Sequence, residues 1–159
     1  MDTDLAAYEE QAGTVGEFLE GLLEAFGLQG QVRVGEVDDE DVQIDIDGDD
    51  LGLLIGPHGQ TMMALHELSK TVLQRTAPTG PRVRLRLDVA GYRQRRREAL
   101  AQFVRAQAAD VIATGQARAL EPMNASDRKV VHDTVNELDG VGTVSEGDEP
   151  RRRVVIVPE

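Results

Sequence analysis

The chain has 159 residues and a net charge of −12, and its 40% hydrophobic content can support a packed core although only 3% of residues are aromatic. That size fits one domain of common length or two small ones, and the absence of Cys excludes disulfides, thiolate metal sites and cysteine nucleophiles. There is no run of eighteen apolar residues and the start, Met1-Asp2-Thr3-Asp4, is acidic, so neither a membrane span nor a signal peptide is expected and the chain reads as cytoplasmic.

Residues 1–13 are acidic and poor in apolar side chains, which predicts a disordered lead. From Thr14 to Phe26, Val15, Phe18, Leu19, Leu22, Leu23 and Phe26 follow a helical period, with Gly13 or Thr14 near the cap and Gly27 just past the end. Two strand patterns follow. Gln31 to Val37 alternates weakly, whereas Val42, Ile44 and Ile46 alternate cleanly with Gln43, Asp45 and Asp47; Asp38-Asp39-Glu40 between them reads as a hairpin turn. Asp49 to Ile55 predicts a short helix. Thr61 to Arg75 predicts a longer one, with Met62, Leu65, Leu68 and Val72 as its core stripe. After a loop over Ala77–Pro81, Arg82 to Asp88 predicts a strand with Val83, Leu85 and Leu87 inward and Arg82, Arg84 and Arg86 outward.

A second unit begins almost at once. Gly91 to about Thr114 is a helical pattern with Leu100, Phe103, Val104, Ala108, Val111 and Ile112 as its stripe, ended by Gly115. Gln116–Leu120 is a short strand, and Asn124 caps a helix reaching Leu138, lined by Val131, Val135 and Leu138 and stopped by Gly140. Val141–Ser145 and Arg152–Val157 close a hairpin across the turn between them. The expected division is 1–13 lead, 14–88 first domain and 91–159 second domain.

Charge follows this division. Residues 1–50 hold sixteen Asp or Glu against Arg33 alone, a net −15, whereas the rest carries +3. Residues 82–105 concentrate eight Arg against Asp88 and Glu98. That arginine-rich stretch could be solvated surface, pair with the acidic front half, or offer a path to a polyanion.

The stretch with most chemistry is Ile55-Gly56-Pro57-His58-Gly59-Gln60. Two glycines separated by two residues let backbone turn sharply and approach a ligand, and the turn opens onto a helix N-terminus that favours phosphate. With sixteen glycines the spacing alone is weak, but Leu-Ile-Gly before it and an amphipathic helix after it are not. It resembles the Gly-x-x-Gly clamp of KH domains, which grips the backbone of four nucleotides, and helix-strand-strand-helix-turn-helix-strand is the order of the type II KH fold. Further on, Arg128 and His132 are four apart on one helix face, on the shoulder of its apolar stripe. A guanidinium there suits phosphate, and an imidazole can bond a phosphate oxygen or stack on a base. The run Leu120 to His132, with Lys129 beside Arg128, resembles the core of the R-3-H domain, a small single-stranded nucleic-acid-binding module; Val144–Arg152 resembles its closing strand-turn-strand.

KH followed directly by R-3-H resembles the Jag family, the SpoIIIJ-associated proteins of bacteria, over about residues 14–158. The resemblance implies an α+β fold and a cytoplasmic, non-enzymatic protein that binds single-stranded RNA, or single-stranded DNA, through Ile55–Gln60 and Arg128, Lys129 and His132. It further implies links to cell elongation and division, in some members to sporulation, and a small single-KH partner protein, with no cofactor and no membrane insertion. Longer members carry an N-terminal Jag-N domain, for which the residues before Thr14 leave no room, so a short form is expected. Relatives usually place Lys or Arg between the clamp glycines; Pro57-His58 here predicts a weaker, more pH-sensitive phosphate contact, Pro57 also removing one N–H donor. Gly59→Asp is expected to weaken binding without unfolding the chain.

Other chemistry is not expected. Asp45, Asp47 and Asp49 mimic the start of a calcium loop, but Asp50 replaces its glycine and Gly56 its closing glutamate. His58, His66 and His132 lack zinc spacing, and no phosphate loop or serine-nucleophile motif occurs. The rival reading is an interaction module whose acidic front half docks a basic protein.

Overall fold

The computed structural model describes residues 2–37, 41–76 and 84–159. The expected turn at Asp38–Glu40, the loop Ala77–Pro81 and the strand start at Arg82 and Val83 lie outside the described residues. The chain divides into two compact units, Met1–Arg93 and Gln94–Glu159, each with its own apolar core.

The first unit runs α1 (Asp2–Ala25), β1 (Gly30–Val37), β2 (Asp41–Gly48), α2 (Gly52–Ile55), a single 3-10 turn at Pro57–Gly59, α3 (Gln60–Thr76) and β3 (Arg84–Val89). Its sheet has the order β1-β2-β3, β1 antiparallel and β3 parallel to the central β2. Alternation on β2 and β3 sends Val42, Ile44, Ile46, Leu85, Leu87 and Val89 into the core. The opposite face carries the charge. Arg33 on β1 donates from Nε to Asp47 at 2.6 Å, and Arg86 on β3 grips Asp41 through Nε and Nη2 at 3.2 and 2.8 Å. Two of the front half's sixteen acidic residues, Asp41 and Asp47, are therefore matched across the sheet by arginines.

Several expectations are corrected. Residues 2–13 are not a disordered lead but the first half of α1, where Tyr8, Gln11 and Ala12 are buried one and two turns before Val15. Apolar content there is low, yet it falls on the helical period, and a few small or amphipathic side chains at those positions suffice to join the core. Thr14 is accordingly not a cap: its hydroxyl donates back to the Glu10 carbonyl at 3.0 Å, in mid-helix. The helix ends as expected at Gly27 (φ +65°), with Leu28 N–H on the Leu23 carbonyl and Gly27 N–H on that of Glu24.

On α3 the buried line is Met62, Leu65, Ser69 and Leu73, with Val72 half-buried and Leu68 52% exposed. Ser69 lies on this line although it is polar, and its buried Oγ has no hydrogen-bond partner among the described residues.

The second unit is carried by α4 (Tyr92–Thr114), whose first turn belongs to the first unit, then β4 (Arg118–Ala119), α5 (Ala125–Val135), β5 (Val141–Glu146) and β6 (Arg153–Pro158). Its antiparallel sheet has the order β4-β6-β5. Leu100, Val104, Ala108 and Val111 of α4 and Val131 and Val135 of α5 are buried with Val154 and Ile156, whereas Phe103 and Ile112, expected inside, are exposed. They stand one position from the i, i+4 line that is buried. α5 ends at Val135, three residues short of the expected Leu138, in a turn that Gly140 (φ +82°) concludes.

Candidate nucleic-acid interface

The turn after α2 is built by its two glycines. Gly56 leaves the helix at φ +70°, ψ 177°, and a Cβ on it would stand 2.1 Å from Thr61 Oγ1. Gly59 (φ +76°) is buried, and a Cβ there would come within 2.8 Å of Tyr92 Cε1. Glycine is thus required at both positions by the chain's own packing. Gly59→Asp is consequently not the clean test expected from the sequence, because it forces a side chain into Tyr92.

Between the glycines, Pro57 and His58 are exposed, His58 in the left-handed region at φ +52°. Ile55 and Gly56 are half-buried, and Gln60 is exposed at the start of α3. Gly59 N–H bonds to the Gly56 carbonyl at 3.2 Å and Gln60 N–H to that of Pro57, and Pro57 has no N–H to give. Three of the four residues from 57 to 60 therefore offer no free amide to an anion. What the turn presents is the positive end of α3 and the His58 imidazole. Along the exposed side of α3, Lys70 donates to both Glu67 oxygens at 3.0 and 3.1 Å; this bond holds the Glu67 carboxyl below the usual carboxylate range. His66 is structural: its Nε2 meets the Leu85 carbonyl at 2.7 Å and so donates to it.

In the second unit, Asn124 caps α5 by accepting the Asp127 N–H at 2.9 Å, and buried Asp127 takes Arg96 Nη2 at 3.1 Å. Arg96 is thereby spent internally. Arg128 is held on two sides: Nη1 donates to the Met123 carbonyl at 2.6 Å and Nη2 to Glu149 Oε1 at 2.5 Å, leaving the side chain 11% exposed. His132 is braced as well, Nδ1 against Thr143 Oγ1 at 2.7 Å and Nε2 against Ser145 Oγ at 3.0 Å. Thr143 and Ser145 are two apart on β5 and share one face, so both ring nitrogens are engaged by the strand.

Arg128 and His132 thus lie together toward the β5 side, and Lys129 does not. One residue on, about 100° around the helix, Lys129 pairs with Asp133 at 3.1 Å and lines a groove of about 480 Å3 between α4 and α5 with Arg97, Arg105 and Glu137. Sequence reasoning missed Glu149, Met123, Thr143 and Ser145 as the partners that hold Arg128 and His132, and Tyr92 beneath the Gly-x-x-Gly turn. Only the Thr-x-Ser alternation on β5 carried a signal.

Two family models match. Residues 16–87 match the KhpA/KhpB KH domain and residues 94–158 the R-3-H domain. Among curated proteins, the chain is 34% identical over 141 residues to an RNA-binding protein KhpB of Clostridium symbiosum, covering 88% of this chain and 63% of that one. It is also 34% identical over 141 residues to the KhpB of Bacillus subtilis (87% and 66%), and 32% over 151 residues to that of Lactiplantibacillus plantarum (95% and 46%). The chain therefore spans less than two thirds of the length of these relatives. With a KH domain and an R-3-H domain matched in the same order, and with the folds and turn geometry described above, this chain belongs to the Jag, or KhpB, family.

Proposed function

We propose that this chain binds single-stranded RNA as a non-enzymatic regulator of the bacterial cytoplasm, one unit touching the phosphate backbone at Pro57-His58 and the other at Arg128. The observation that carries the reading is the first of these sites: an exposed cationic-capable side chain on a tight glycine turn, at the positive end of the 17-residue α3. The relatives named RNA-binding proteins support the same ligand class. Within this reading His132 braces α5 against β5 and orients Arg128, while Lys129 adds a separate, exposed cation. The link to cell elongation and division, and a small single-KH partner, come with the family resemblance.

The test is binding of the purified chain to a short labelled single-stranded RNA at two salt concentrations. Because phosphate contacts release counterions, affinity should fall steeply between about 50 and 200 mM salt. Pro57→Asp/His58→Asp places two acids on exposed positions without touching the core and should cost roughly tenfold; Arg128→Ala, which removes a charge-assisted bond, should cost a similar factor. No binding, or binding unaltered in these folded variants, would leave the interaction reading, to be pursued as nuclease-resistant capture of a basic protein partner.

A further inference from the structure

We propose that Glu149 is a built-in stand-in for phosphate at Arg128: the anion seat of the second unit is occupied by the chain's own carboxylate, and RNA enters it by exchange. This inference rests on the reading of Arg128 as a phosphate contact. The asymmetry of the pair carries it. The Arg128 side chain is 11% exposed and pinned from behind by the Met123 carbonyl, whereas the Glu149 side chain is 61% exposed on the turn between β5 and β6.

Other pairs of this unit differ. Arg96–Asp127 has its carboxylate shielded, and Arg105–Glu137, Lys129–Asp133 and Arg153–Glu146 have both members in solvent, where an ion pair contributes little. Among these, only Arg128–Glu149 combines a shielded cation with an anion that can swing out to water. A guanidinium left there without a counter-charge is unfavourable, so the seat accepts the carboxylate until another oxyanion replaces it. Arg151 and Arg152, exposed on the same turn, have no ion-pair partner among the described residues and would draw a phosphodiester toward the seat.

The experiment is a mutant cycle with the same labelled single-stranded RNA. Glu149→Gln should bind about two- to fivefold tighter than the native chain, the size of one partly exposed ion pair. Glu149→Asp, which keeps the charge but shortens the reach, should also tighten. Neither change should gain anything in an Arg128→Ala background. Asp148→Asn removes the same charge one residue away and should have a smaller effect, equal in both backgrounds. If Arg128→Ala weakens binding but Glu149→Gln does not tighten it, the stand-in is wrong and Glu149 serves to position Arg128. Equal gains from Asp148→Asn and Glu149→Gln would also overturn it, as a general charge effect. If Arg128→Ala changes nothing, the Arg128 contact itself falls, and the stand-in with it.

Discussion

At the scale of single residues, the two candidate contacts differ in how ready they are. Arg128 is anchored and already holds an anion. His58 is exposed, and it adopts a left-handed backbone that costs an L residue roughly 1–2 kcal/mol. The flanking glycines impose that conformation, with Thr61 and Tyr92 filling the space where their side chains would be. The result is an imidazole directed away from the core. With amides largely consumed inside the turn, the side chain at position 58 should dominate this contact. RNA affinity is therefore expected to fall severalfold in His58→Glu, which sets a negative charge against phosphate, and to rise in His58→Lys, which sets a fixed positive one there. Fluorescence anisotropy titrations check it; unchanged affinity in both folded variants would locate the contact elsewhere.

At the scale of elements, α1 makes the sharpest prediction. Tyr8 is buried on the same line as Ala12, Val15, Leu19 and Leu23. If the first half of α1 is packed as described, Tyr8→Ala should destabilise the first unit by about 2–4 kcal/mol, the usual cost of emptying a large buried side chain. Chemical denaturation would show it as a lower midpoint; an unchanged midpoint would mean residues 2–13 contribute nothing to the fold. The same helix shows where the sequence is legible and where it is not. Strict alternation at Val42, Ile44 and Ile46, the glycine pair at 56 and 59, the Gly27 and Gly115 stops and the Asn124 cap are local signals, written within a few residues of the structure they produce. Tyr8 and Ala12 are too small a signal in an acidic context, and the exposure of Leu68, Phe103 and Ile112 depends on which neighbours arrive from distant sequence. For the candidate site, the glycine turn at 56–59 opening onto α3 and the shared helix face of Arg128 and His132 could be read from spacing and context. That Arg128 meets Glu149, twenty-one residues away, and that Lys129 turns to another groove could not, because both depend on how α5 packs on its sheet.

At the scale of the whole molecule, charge sets an apparent contradiction, since a chain of net −12 should repel RNA. The repulsion and the proposed contacts act over different distances. The excess negative charge is spread through the first unit and partly matched at short range by Arg33 and Arg86, so a distant polyanion meets the net field before any single arginine. Salt separates the two, because the screening length shrinks from about 30 Å at 10 mM to about 10 Å at 100 mM. Over that range added salt should remove long-range repulsion while leaving contacts within a few ångströms less affected. The association rate for single-stranded RNA is therefore expected to rise severalfold from about 10 to about 100 mM salt, opposite to the fall seen when a basic surface steers its ligand. The dissociation rate should rise over the same interval as ions compete for phosphate. Stopped-flow mixing with labelled RNA measures both. An association rate that falls with salt would mean that a local positive field, centred on the arginines of residues 82–105, guides the encounter despite the net charge, and that the acidic face of the first unit is turned away from the approaching strand.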